Sequence, residues 1–140
     1  MSSLSYGEGM EELKYGVLLD EVQWDYDQKV YPDYQEFYLA LKNYNKELDQ
    51  DINEEILYRL NFKKVNIEFN YAEKVNGEWV DVRKRFEIES SQEVFNELEL
   101  LYLLNNAIYH LFRNYNHIHH EGLELIESTK ELTYELMLGS

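Results

Sequence analysis

The strongest constraint on this chain is a pair of alternating segments, KKVNIEFNYAEKV and EWVDVRKRFEIE, that flank Asn76-Gly77. An Asn-Gly pair supplies the two positive φ angles of a type I′ turn, the tightest way to reverse a twisted strand pair. With those two residues at the turn centre, positions summing to 153 face each other. Val65 then meets Ile88, Ile67 meets Phe86 and Tyr71 meets Val82, with Lys84 opposite Phe69 as the one polar intruder. On the other face Glu68 meets Arg85, Asn70 meets Arg83 and Lys74 meets Trp79. One register sorts apolar from polar residues and brings opposite charges together, which a shifted register cannot do.

The next pattern is helical. Ser90 and Glu93 have capping-box spacing. Val94, Leu98, Leu101, Ile108 and Phe112 form one stripe, while Phe95, Tyr102 and Tyr109 form another. Around ELLYLL the pattern is apolar nearly all round, which predicts a helix over 92–113, about 33 Å long and buried on more than one side. A second hairpin is expected from EGLELIES and ELTYELMLGS, turning around Thr129-Lys130; Leu123 and Leu125 lie on one face, as do Tyr134, Leu136 and Leu138.

Towards the N-terminus the reading is helical. Pro32 suits a first helical turn, and Tyr34, Phe37, Tyr38, Leu41 and Tyr44 follow at helical spacing. Asp51 and Glu54 could cap a short helix carrying Ile56, Leu57 and Leu60. In residues 10–26, Met10, Leu13 and Val17 fit a helix, although YGVLL also reads as a buried strand; the helix is preferred. The expected architecture is one α+β domain over 1–140. It has an antiparallel sheet of about four strands in two hairpins, a long helix packed on it and N-terminal helices.

Charge narrows the function. The chain has 28 acidic and 13 basic residues, for a net charge of −15. Residues 1–60 hold 14 acids against 5 bases and residues 90–140 hold 8 against 2, but residues 61–89 balance at 6 and 6. Such a field disfavours nucleic acid and anionic membranes and favours cations or a basic protein. No cysteine occurs, so disulfides and thiolate chemistry are out. No stretch approaches the ~20 apolar residues of a membrane helix, and the opening MSSLSYGEGMEELKYG lacks the pattern of a secretory leader. A cytoplasmic location without membrane attachment is expected.

Two segments are candidates for chemistry. In LLDEVQWDYDQKVYPDYQEFY, the acids Asp20, Glu21, Asp25, Asp27 and Asp33 alternate with Trp24, Tyr26, Tyr31 and Tyr34. Aromatic residues dominate interface hot spots, and carboxylates around them steer a cationic partner. In charge and aromatic content, though through no motif, the chain resembles immunity proteins that neutralise bacterial nuclease toxins. That likeness implies an inhibitor facing a basic, nuclease-like partner. Against it, many of the thirteen tyrosines must pack inside, because the helical stripes need them.

In NHIHHEGLELIES, His117 and His119 would share a strand face with Glu121, seven or more residues beyond His110. Two imidazoles at that spacing can hold one divalent metal. His117, His119 and Glu124 also resemble part of a cupin motif. However, Leu111 and Glu131 stand where that motif has glycine, and a helix precedes it, so the cupin reading is set aside. No G-x-S-x-G, P-loop or G-x-G-x-x-G pattern occurs. The leading expectation is therefore a non-enzymatic, acidic protein-binding module without cofactor. The alternatives are a small metal-binding protein or metal-dependent enzyme, and a homo-oligomer such as a homodimer that buries an exposed hairpin edge.

Overall fold

The computed structural model describes residues 16–26, 29–52, 59–60, 62–91, 95–112, 118–127 and 130–139, with Arg59 and Phe95 as backbone only. Its strands are β1 (Val17–Leu18), β2 (Arg59–Leu60), β3 (Lys64–Val75), β4 (Glu78–Glu89), β5 (Phe95–Asn96), β6 (His119–Leu125) and β7 (Thr133–Gly139). Its helices are α1 (Tyr34–Glu47) and α2 (Glu97–Ile108), and α2 tightens into a 3-10 turn over Tyr109–Phe112. Five strands form one sheet in the order β1-β6-β7-β3-β4, while β2 and β5 pair separately.

The first hairpin follows the sequence residue for residue. Val65 pairs with Ile88, Ile67 with Phe86, Glu68 with Arg85, Phe69 with Lys84, Asn70 with Arg83, Tyr71 with Val82 and Lys74 with Trp79. Asn76 and Gly77 have φ of 52° and 81°, as a type I′ turn needs. Val65, Ile67, Phe69 and Tyr71 are buried. The Arg83 guanidinium bridges Glu68 and Glu135 at 2.7 Å each, and Lys74 lies 5.8 Å from the Trp79 ring centre.

The second hairpin forms as well, with Leu123 opposite Leu136 and Leu125 opposite Tyr134. The sheet is nevertheless mixed, not the expected antiparallel one. β7 runs parallel to β3 through Asn66–Thr133, Ile67–Tyr134 and Glu68–Glu135. Each hairpin is antiparallel within itself, but the direction in which the two are joined is set by the crossing chain between them.

The expected long helix is shorter than 92–113. Residues 95–96 pair as β5 with β2, so α2 starts at Glu97. Asn96 caps it and forms the capping box with Glu99. Ser90, the expected cap, instead extends the hairpin ladder, its N–H donating to the Lys63 carbonyl at 2.8 Å. The competing box, N-E-L-E at 96–99, lies six residues further on in the sequence. Val94 lies outside the described residues. Leu98, Leu100, Leu101, Leu104 and Ile108 are buried on several sides of α2, as the all-round apolar pattern implied.

At the N-terminal end, α1 forms where expected. Its cap is Asp33, one residue beyond Pro32, and the Asp33 side chain accepts from the Glu36 N–H at 2.9 Å. Phe37 and Leu41 point into the core. The helix expected over 10–26 does not form across its described part: residues 17–18 are strand and 22–26 are extended. Leu18 and Leu19 are both buried, and Leu19 has φ 58°, which no right-handed helix contains. The expected helix after Asp51 falls largely on residues outside the description, and its last position, Leu60, lies in β2.

Candidate functional site

The acidic, aromatic segment forms a strap along the free side of β6. It begins as β1, with Val17 opposite Glu124 and Leu18 opposite Leu123. It leaves the ladder at Leu19, Asp20 and Glu21, then rejoins at Asp25, which bridges to His119. The excursion has two local causes. Leu19 adopts φ 58°, a conformation that costs a leucine roughly 1–2 kcal/mol. On the facing strand Gly122, at φ 136°, sits in a bulge, and a Cβ there would lie 3.4 Å from the Asp20 Cα.

Buried polar groups hold the strained turn. The Leu19 N–H donates to Glu97 Oε1 at 2.9 Å. Its carbonyl accepts from His120 Nε2 at 3.1 Å. The other His120 nitrogen, Nδ1, accepts from the Tyr26 hydroxyl at 2.8 Å. Burial pushes the His120 pKa down to about 4; the Leu19 hydrogen bond opposes the shift and the His119 charge adds to it. Burial likewise raises the Tyr26 hydroxyl well above its ordinary range. In this network His120 is a neutral structural imidazole.

His119, its neighbour, points to the other side of the strand, as alternation demands. Its Nδ1 lies 2.7 Å from Asp25 Oδ1 and its Nε2 lies 2.8 Å from Gln23 Oε1. Tyr44 bonds the same Asp25 carboxylate, and burial first, then that carboxylate, push its hydroxyl up to about 12.

Three asparagines complete the anchoring. Asn45 of α1 accepts from the Gln23 N–H at 3.0 Å and donates to the Gln23 and Leu41 carbonyls at 2.9 and 2.8 Å. Asn105 of α2 accepts from the Trp24 indole at 3.2 Å and donates to the Lys29 carbonyl at 2.9 Å. Asn106 pairs with both backbone groups of Tyr31, at 3.0 and 2.9 Å. None of these asparagines was a candidate from sequence. The signal was available, since two asparagines inside LLYLLNNAIYH break an apolar stripe, and a buried amide needs polar partners.

This anchoring sorts the candidate binding residues. Trp24, Tyr26 and Tyr31 are 2%, 0% and 7% exposed and belong to the core, which corrects their expected place on a binding surface. Trp24 packs edge-on against Phe37 and Tyr44, with ring centres 5.1 and 5.7 Å apart. Tyr34 is half-buried, stacked on Tyr38 at 5.9 Å. Asp25 is committed to His119 and Tyr44, and Asp33 caps α1 while staying exposed. Asp20 and Glu21 are exposed. Asp27 lies outside the described residues. Where the strap meets α1, Asp33, Tyr34, Glu99 and Tyr102 help line an open cleft of about 360 Å³.

The histidines do not converge among the described residues. His119 and His120 face opposite ways with their ring nitrogens engaged, and His110 is exposed on the 3-10 turn. Glu121 is exposed beside Gly139. His117 lies outside the description. No group of three or more His, Asp or Glu among the described residues is placed to hold a metal. A metal at His119 would have to displace Asp25 or Gln23.

The chain matches no protein-family model, no curated protein and no solved structure. No helix among the described residues is long and apolar enough to cross a membrane.

Proposed function

We propose that the chain is an acidic protein-binding module whose strap face docks a basic partner, as an inhibitor does when it occupies a groove built to hold phosphates. One observation carries this reading. Asp20, Glu21, Asp33 and Glu36 are exposed, and none is in ion-pair contact with a basic residue among those described. The hairpin bases Lys64, Arg83 and Arg85, by contrast, are paired with carboxylates on the sheet or, for Glu131, just before β7. Unneutralised acids on a rigidly pinned segment project negative potential outward, which speeds encounter with a cationic surface. The inward turn of the aromatics shifts the expected source of affinity from buried hot spots to charge. The cleft beside Asp33, with the Tyr34 and Tyr102 rings in its wall, suits one long cationic side chain.

The test is a titration against basic nuclease domains, with nuclease activity as the readout. The triple variant Asp20→Asn, Glu21→Gln, Asp33→Asn removes three charges yet keeps an α1 cap, because asparagine caps as well as aspartate. Inhibition by the wild-type chain should weaken as salt rises. The variant should inhibit at least roughly tenfold less well and respond less to salt. Equal inhibition by the two proteins, or none by the wild type, would remove the strap from consideration.

A further inference from the structure

β4 is the last strand of the sheet, and among the described residues it pairs only with β3. It is twelve residues long. The ladder phase is set by the Ser90 N–H bonding back to the Lys63 carbonyl. Even-numbered residues of β4 therefore bond to β3, and the odd-numbered ones, from Trp79 to Glu89, direct N–H and C=O outward. A free row of that length is a template for another strand. Like charges ordinarily prevent such pairing, and over most of this chain they do so strongly.

Residues 61–89 are the exception, with 6 acids and 6 bases. They form a long stretch, along an open edge of the sheet, where two copies can approach without net repulsion. Their order along the edge is also informative. RKRFEIE, residues 83–89, is basic before Phe86 and acidic after it.

We infer that the β4 edge pairs with the β4 edge of a second copy, antiparallel and two-fold symmetric about Phe86. In that register Arg85 faces the second copy's Glu87, and Arg83 faces its Glu89. Each contact occurs twice by symmetry. All four residues lie on the outer face of the sheet and are exposed. On the inner face the half-buried Phe86 meets its own counterpart. Moving the two-fold by one residue either way brings like charges together: Arg85 on Arg85 at position 85, Glu87 on Glu87 at position 87. A centre at Val82 avoids this but keeps only the Asp81–Arg83 contact. The internal bonds of Arg83 and Arg85 do not block the pairing, because a guanidinium has five N–H donors. The product is one continuous sheet made from two five-stranded sheets. The strap lies at the opposite end of the strand order, so dimerisation leaves both straps open and does not depend on the binding role proposed for them.

The test is sedimentation of the full chain over a concentration series up to high micromolar, since a single strand pair is a small interface. The wild type should pass from monomer to dimer. Arg83→Glu with Arg85→Glu should remain monomeric, as should Glu87→Lys with Glu89→Lys, each with far-ultraviolet circular dichroism unchanged. Mixed in equal amounts, the two variants should dimerise, because every facing pair is again of opposite sign. Mere misfolding of either variant cannot produce that recovery. The chain has no cysteine, so Phe86→Cys should cross-link under mild oxidation, whereas Val82→Cys, which faces Ser90 in this register, should not. A wild type that stays monomeric, variants that dimerise alone, a mixture that does not recover, or cross-linking through position 82 in place of 86 would each overturn the inference.

Discussion

His120 and Leu19 show how single residues carry the strap. Leu19 sits at φ 58° with its side chain 2% exposed, and its two backbone groups are taken by Glu97 and His120. The pH consequence has a definite sign. His120 titrates at about 4 when folded and near 6.5 when unfolded, so between those values the unfolded chain holds the extra proton. Stability from this group is complete above about pH 6.5 and is lost as pH falls towards 4. The loss should reach ~3 kcal/mol, taking 1.36 kcal/mol for each pH unit of separation. Carboxylates titrate in the same range, so the measurement is a difference: urea unfolding of wild type against His120→Asn at about pH 7 and about pH 4. The wild type's advantage should shrink by that amount, and a constant gap would mean that His120 is not held neutral. None of this was legible in HH. Alternation separates His119 from His120, but which of the two faces inward depends on a bulge at Gly122 that the sequence does not announce.

At the scale of elements, legibility followed locality. The β3–β4 hairpin was readable down to each cross-strand pair because the turn, the alternation and the charges all lie within 26 residues of one another, from Lys64 to Glu89. The local pattern does not place the start of α2, because Ser90–Glu93 and Asn96–Glu99 both have capping-box spacing. The choice between them was made by β5 pairing with β2, a contact that leaves little trace in the local pattern. Residues 17–26 of the strap read as a helix for a related reason: the strap's partners, Asn45, Asn105, Asn106 and His119, are all distant in sequence. Asn45 is the joint between strap and α1. Asn45→Ala would strand the Gln23 N–H and carbonyl in a partly buried site, at a cost of about 2–4 kcal/mol. Chemical denaturation followed by tryptophan fluorescence reports this directly, since Trp24 is the next residue. A loss below about 1 kcal/mol would show that the strap is held chiefly by its aromatic side chains.

At the scale of the whole molecule, the division of charge matches the division of the sheet. The sheet order places the strap beside one edge strand and makes the balanced hairpin the other edge. The candidate site was half legible: exposed acids and their sign followed from composition, but the inward turn of Trp24, Tyr26 and Tyr31 did not. An aromatic residue reads the same in a hot spot as in a core. The mixed sheet also bears on how the molecule assembles. Each hairpin closes locally, but the parallel seam between β3 and β7 joins residues 66 positions apart, as in the contact from Asn66 to Leu132. Chain-closure entropy delays such a contact until the local parts exist. Folding should therefore nucleate at the Asn76-Gly77 turn and finish at the seam. Gly77→Ala, strained at φ +81°, should slow refolding, whereas Thr133→Ala at the seam should mainly speed unfolding. Stopped-flow chevrons of the two variants would separate these cases. A comparable slowing of refolding by both would mean that the two halves of the sheet are committed to each other from the outset.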